Sequence, residues 1–352
     1  MSQCVLAATP TNGSLARNYR WKELRRRALM TVTANATPLA SLASEHGIHR
    51  ARASKDPLRQ AIDRFAPLRA LVKSHPAQRV VEAIRGARAV EESVHFIAGQ
   101  LRRPRPARYR LRRSCQVAVV RHRTADIEVM NEIFGGTGGR LAYEPPAGLE
   151  TALDLNPSPR ILDLGGNVGL FGLYALHRWP GSSVRSFEPD AESAALLRTV
   201  IAENQLEHRW TLTSAAVSNH SGTMAFRPGL SSESHLLDVE ASSGPDTSNA
   251  GAAGGVVEVT AEDLFALEDH LDLVKMDIEG GEWSLLADPR MARLDADLIV
   301  LEWHDQGCPA PNPRAHVIRL LRDAGYGELY EPIEPSHCGM LWARRSAGRT
   351  SG

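Results

Sequence analysis

From about residue 108 onward, short apolar runs alternate with amphipathic stretches. The pattern predicts strand 160–165, helix 168–178, strand 183–188, helix 190–204 and strand 209–217. Further strands or strand–helix units follow at 271–278, 296–304 and 327–333, with a last strand, GMLWARR, near 339–345. Strands regularly separated by helices imply an α/β architecture with a parallel sheet. Ahead of this block, YRLRRSCQVAVVRHR alternates as a strand or hairpin. Thr124 then caps a helix running to Phe134, and the glycines from Gly135 to Gly139 break it.

The N-terminal third reads differently. Residues 1–53 show no sustained period and are expected to be irregular or weakly helical. Asp56-Pro57 supplies an N-cap and a first-turn proline for a helix with Leu58, Ile62, Phe65, Leu68 and Val72 on one stripe. His75-Pro76 ends it. A second helix is expected from Pro76 to Arg103, its stripe being Val80, Ile84, Ala87, Val94, Ile97 and Leu101, so that the pair forms a helical hairpin. Pro104 and Pro106 make a linker. The resulting division is a basic, helical or partly disordered extension at 1–107, a second domain at 108–346 and a disordered tail at 347–352. Residues 229–255, rich in Ser, Gly, Ala and Asp, are too polar for a core and read as a mobile loop.

Charge sharpens this division. The net formal charge is zero, yet residues 1–140 hold 26 Lys and Arg against 10 Asp and Glu. Such a segment suits a nucleic acid, an anionic membrane surface or the acidic remainder of its own chain. No apolar run approaches the roughly 18 residues of a membrane span, and no charged n-region precedes a long apolar stretch. Cys4, Cys115, Cys308 and Cys338 include no C-x-x-C pair. The expectation is a cytoplasmic protein without a transmembrane segment, with peripheral membrane contact through the basic region as a further option.

The chemistry concentrates at strand ends. In ILDLGGNVGLFG an apolar strand delivers Asp163 and turns through Gly165, Gly166 and Gly169 into a helix, so a ligand can approach bare backbone. The G-x-G-x-x-G spacing of dinucleotide sites is absent. Asp-x-Gly-x-Asn-x-Gly instead suits a ligand with a methionine-like ammonium and carboxylate, held by a carboxylate and backbone groups. VRSFEP places Glu188 at the end of the next strand, where it can accept both hydroxyls of a ribose. A helix-start carboxylate is the plainer reading of Glu188, although Asp190 is equally placed for capping. Ser214-Ala215-Ala216 offers small residues that can border an adenine. LDLVKMDIEGGEW brings Lys275, Asp277 and Glu279 to one face of the sheet's carboxyl edge, and DLIVLEWH adds Glu302 and His304 there. A structural Lys275–Asp277 ion pair is the bland alternative.

DLGGNVG, FEP, KMDIEGGEW and LEWH, in that order, resemble the FkbM family of S-adenosylmethionine-dependent methyltransferases, and VVRHRTADIEVMNEIF extends the likeness toward the N-terminus. The resemblance implies a Rossmann-like class I methyltransferase sheet, mostly parallel with an antiparallel last strand. It implies S-adenosyl-L-methionine bound by Asp163, Gly165, Gly166, Asn167, Gly169 and Glu188, bordered by Ala215 and Ala216. Asp277, Glu279 and His304 would stand by the acceptor with Lys275. The implied reaction is O-methylation of a hydroxyl on a sugar, glycolipid or secondary metabolite. A neutral His304 is the first base to consider and Asp277 the second, since a hydroxyl acceptor must lose its proton. A divalent ion on Asp277, Glu279, Glu302 and His304 is conceivable but not expected.

Two rivals belong to other classes. A nucleic-acid methyltransferase would use the basic N-terminal region, but no Pro-Pro-aromatic tetrad follows Lys275-Met276-Asp277, so nucleic acid is not the expected partner. A binding protein on a disabled fold would not need both Asp163 and Glu188. The acceptor's identity, regiochemistry and the homo-oligomeric state are not written in the sequence.

Overall fold

A computed structural model of the chain describes residues 48–50, 75–100, 102, 105–135, 143–149, 153–154, 156–228, 235–237, 255–267, 269–331 and 338–346. All fall within one unit, Gly47–Gly352. The expected helix beginning at Asp56, the readings for residues 1–47 and the 347–352 tail lie outside the described residues.

The eight-stranded central sheet runs β1 (Ile48–Arg50), β13 (Tyr326–Glu331), β14 (Cys338–Arg345), β12 (Ala296–His304), β11 (Leu271–Met276), β4 (Arg160–Leu164), β5 (Ser183–Phe187), β6 (Trp210–Thr213). All pairings are parallel except those of β14, which is antiparallel to both neighbours, as anticipated for the last strand. Parallel strands need both faces covered, and they are. Ile161, Val184, Leu273, Leu298, Val300 and Trp342 share one core with α4 (Leu170–Arg178) and α5 (Ala191–Glu203). Leu162, Val274, Met276, Ile299 and Leu301 share a second core with α6 (Glu282–Ala287) and α7 (Pro313–Asp323).

A hairpin of β2 (Pro106–Arg110) and β3 (Val117–Arg121) leads into α3 (Asp126–Phe134). The hairpin is fastened to the end of α5, where the Asn204 amide accepts from Val117 N at 2.7 Å and donates to Val117 O at 2.8 Å.

Several sequence expectations change. The helix expected over 76–103 is two helices, α1 (His75–Ala89) and α2 (Ser93–Gln100). The break falls at Val90, which is fully buried and forms a β-bridge with Leu111, so its backbone cannot continue the helix. Of the expected stripe Ala87 is buried, but Ile84, Val94 and Ile97 are exposed, and Ala83, Phe96 and Gly99 are buried in their place. The strand expected over 209–217 is also divided. β6 stops at Thr213, and β7 (Ala216–Ser218) joins a separate four-stranded sheet with β10 (Val257–Asp263), β8 (Gly222–Arg227) and β9 (His235–Leu237). β9 lies within the segment read as a loop. No helix among the described residues is long and apolar enough to cross a membrane.

Candidate active site at the carboxyl edge of the sheet

An open cleft lies beside the ends of β4, β5 and β11, walled by Gly165, Asn167, Glu188, Ala215, Ala216, Asp277 and Glu279 among others. The first wall is the turn after β4. Gly165 has φ +80°, and a Cβ there would stand 1.9 Å from the Asp277 carbonyl oxygen, so only glycine fits. The N–H groups of Gly165 and Gly166 both donate to Phe187 O. Asn167 also takes a left-handed backbone, which asparagine tolerates best after glycine. Gly166 and Gly169 do not face the cleft; any Cβ on them would press on Leu197, so they permit close packing of the turn on α5.

Glu188 closes the second wall. One carboxylate oxygen accepts from Asn167 N at 2.7 Å and the other from Asp190 N at 2.8 Å, while Asp190 caps α5. Burial lifts its carboxyl to about 7 against the opposing pull of those two N–H groups. The capping role weighed for Glu188 thus falls to Asp190, and Glu188 is a fixed acceptor on the cleft wall. Ala215 and Ala216 stand beyond it with Val217 and Phe226. The sequence reading passed over Phe226, although the alternation of GTMAFR is a usable strand signal.

Two residues expected to touch ligand lie beneath the wall. Asp163 is fully buried, accepts from Ser186 Oγ at 2.8 Å and sits 3.5 Å from Lys275 Nζ. Lys275, also buried, lies 3.4 Å from Asp277 and donates to Gly165 O at 2.6 Å. Burial disfavours its charge, but Asp277 and Asp163 outweigh that and raise its pKa. The structural ion pair set against a catalytic Lys275 is therefore present: Lys275 ties the glycine turn to both acids.

Asp277 itself faces the cleft. The hydroxyl of buried Tyr143 lies 3.5 Å from it, in donating position, and the Tyr143 ring packs edge-on against Phe171. No periodicity marks Tyr143 in the sequence, where two prolines follow it closely. Beside Asp277 gather Glu279, Glu302 and His304. Glu279 is pushed up to about 8 and Glu302 to about 7, in each case by burial first and then by Asp277.

His304 differs from expectation. Its Nε2 lies 3.3 Å from Glu279 and its Nδ1 3.4 Å from Glu282, which is wholly buried and accepts from Ile278 N and Gly280 N. Burial opposes charge on the ring, yet Glu282 and then Glu279 prevail and raise its pKa to about 9. These neighbours favour the imidazolium form over the neutral ring. Donor atoms of Asp277, Glu279 and His304 lie within 4.8 Å of one another, close enough to hold a small cation.

The parallel sheet with its antiparallel edge strand and the glycine turn after β4 define a class I, Rossmann-like methyltransferase fold. Residues 163–327 match the methyltransferase FkbM domain. Methyltransferase sdnD of Sordaria araneosa is 27% identical over 223 residues, covering 54% of this chain and 83% of that protein. The 31-O-demethyl-FK506 methyltransferase FkbM of Streptomyces tacrolimicus is 27% identical over 237 residues, covering 58% and 86%. A solved methyltransferase FkbM from Methylobacillus flagellatus aligns at 11% identity with a TM-score of 0.36, covering 78% of this chain and 60% of its own, less than two thirds.

Proposed function

We propose that this chain transfers the methyl group of S-adenosylmethionine to a hydroxyl on a small-molecule or glycan acceptor. The observation that carries the reading is Glu188, held by two backbone N–H groups on the wall of a cleft that Gly165 and Asn167 also line. Each carboxylate oxygen keeps a lone pair free to accept from a ribose hydroxyl. Small Ala215 and Ala216 leave room for a flat ring, and the turn at Gly165 and Asn167 receives the amino-acid end.

S-adenosylmethionine supplies an electrophilic methyl on a sulfonium. What remains for the protein is to orient the acceptor and remove its proton. Asp277 is the group for that proton. It lies on the cleft wall with one oxygen near Tyr143 and Lys275. His304 lies between Glu279 and Glu282 and helps to fix Glu279 beside the cleft.

The test is transfer of labelled methyl from S-adenosylmethionine to a panel of sugars, glycolipids and hydroxylated metabolites, with the product located by mass spectrometry. The label is expected on oxygen. Asp277→Asn is expected to lower turnover about 10²–10⁴-fold, the range for general-base removal, while S-adenosylhomocysteine affinity changes little. Label on nitrogen, carbon, RNA or DNA, or full turnover by Asp277→Asn, would overturn the proposal.

A further inference from the structure

The cleft is not built from the matched domain alone. Arg121, the last residue of β3, lies outside residues 163–327, and its side chain is only 4% exposed. It forms a fork with Asp126 at the start of α3: Nε donates to Oδ2 at 2.9 Å and an Nη to Oδ1 at 3.0 Å. The Arg121 backbone N–H donates to the same carboxylate at 2.8 Å. A buried guanidinium fully matched by one acid would need no more. Here the same Nη2 also reaches Asn167 Oδ1 at 3.3 Å and Ser193 Oγ at 3.1 Å, two residues on the cleft wall. Asn167 in turn donates its backbone N–H to Glu188. A continuous line of hydrogen bonds runs from Asp126 through Arg121 and Asn167 to the carboxylate proposed to hold the ribose.

We infer that Arg121 is a positioning residue for the cofactor side of the cleft, acting through Asn167; this rests on the reading of the cleft as a S-adenosylmethionine site. The physical requirement is specific. Asn167 holds a left-handed backbone that costs energy for any residue with a side chain, and its amide group can turn freely unless something accepts or donates to it. Arg121 pins the amide oxygen, which leaves the NH₂ end facing away from the guanidinium. Asp126 fixes the direction of the planar guanidinium through two N–H···O bonds, a geometry that a point-like ammonium does not offer. The hairpin and α3 therefore belong to the binding site as working parts, and Val129 of α3 lines the same cleft.

The test is calorimetric titration of the full chain with S-adenosylhomocysteine, in a double-mutant cycle of Arg121→Gln and Asn167→Gly. Glycine at 167 keeps the left-handed backbone and deletes only the side chain. Arg121→Gln is expected to weaken binding about 10–100-fold in the otherwise unchanged protein, the range for losing a charge-assisted hydrogen bond. In the Asn167→Gly background the same change is expected to cost less than about 2-fold, because the group through which it acts is already gone. Arg121→Lys retains the buried charge; it is expected to fold normally and still lose affinity, since it lacks the fork. If Arg121→Gln does not fold, the cycle is run with Arg121→Lys in both backgrounds. An equal loss in both backgrounds, or unchanged affinity in Arg121→Lys and Arg121→Gln, would overturn the inference while leaving the cofactor reading intact. No binding by the unmodified protein would sink the cofactor reading, and this inference with it.

Discussion

Lys275→Met is expected to destabilise the chain by about 3–5 kcal/mol, the usual cost of stripping one partner from a buried ion pair. Lys275 Nζ is 3.5 Å from Asp163 and 3.4 Å from Asp277, and it donates to the carbonyls of Leu164 and Gly165. Its removal leaves Asp163, which has no exposed surface, with the Ser186 hydroxyl as its remaining hydrogen-bond donor. Methionine fills a similar volume, so the loss is one of charge and not of packing. Denaturant titration of the variant and of Asp163→Asn/Lys275→Met separates the two. The double variant removes the orphaned charge and is expected to recover much of the loss. A single variant within about 1 kcal/mol of the parent would show that the pair contributes little and that Lys275 is retained for another reason.

Gly165→Ala is expected to have the largest effect on ligand binding, more than about 100-fold on S-adenosylhomocysteine affinity, together with a fall in melting temperature of about 10 °C. Two costs coincide there: the left-handed φ of +80° and a Cβ 1.9 Å from a backbone oxygen of the neighbouring strand end. Neither can be relieved by turning a side chain. The contact is to Asp277 O, so the strain displaces the loop that carries the proposed base. Gly148→Ala serves as the control, since Gly148 has φ +101° but no atom closer to the added Cβ than 4.0 Å. It is expected to lose stability by about 1 kcal/mol through backbone strain alone and to bind normally. Equal effects at both positions would mean that the close approach of Gly165 to Asp277 does not shape the site.

The strands were legible where a short apolar run is buried on both faces. β12 ends at His304 as its pattern foretold, and β4, β5 and β11 carry Asp163, Glu188 and Lys275 to the edge where a strand-end reading puts them. Choices of partner were not legible. Nothing local in Trp210 to Val217 says that the first half pairs with β5 and the second with β10. Nor does Val90 announce its bridge to Leu111, so the helical period ran on across it and selected a face that is exposed at Ile84, Val94 and Ile97.

The site followed the same rule. The residue types and the sheet edge were readable, but depth was not: alternation puts Lys275, Asp277 and Glu279 on one face without telling which of them reaches the cleft. The charge of His304 depends on Glu282, a residue of α6 that folds back against β12, and an isolated sequence position carries no sign of that. Tyr143 and Arg121 reach the site from segments ahead of the matched domain, and only tertiary packing joins them to it.

The most direct measurement is calorimetric titration of the full chain and of Glu188→Ala with S-adenosylhomocysteine. The unmodified protein is expected to bind at one site, and Glu188→Ala to bind at least about 100-fold more weakly, since two charge-assisted hydrogen bonds to the ribose are lost together. Equal affinity in the two proteins, or no binding by either, would contradict the assignment of this cleft.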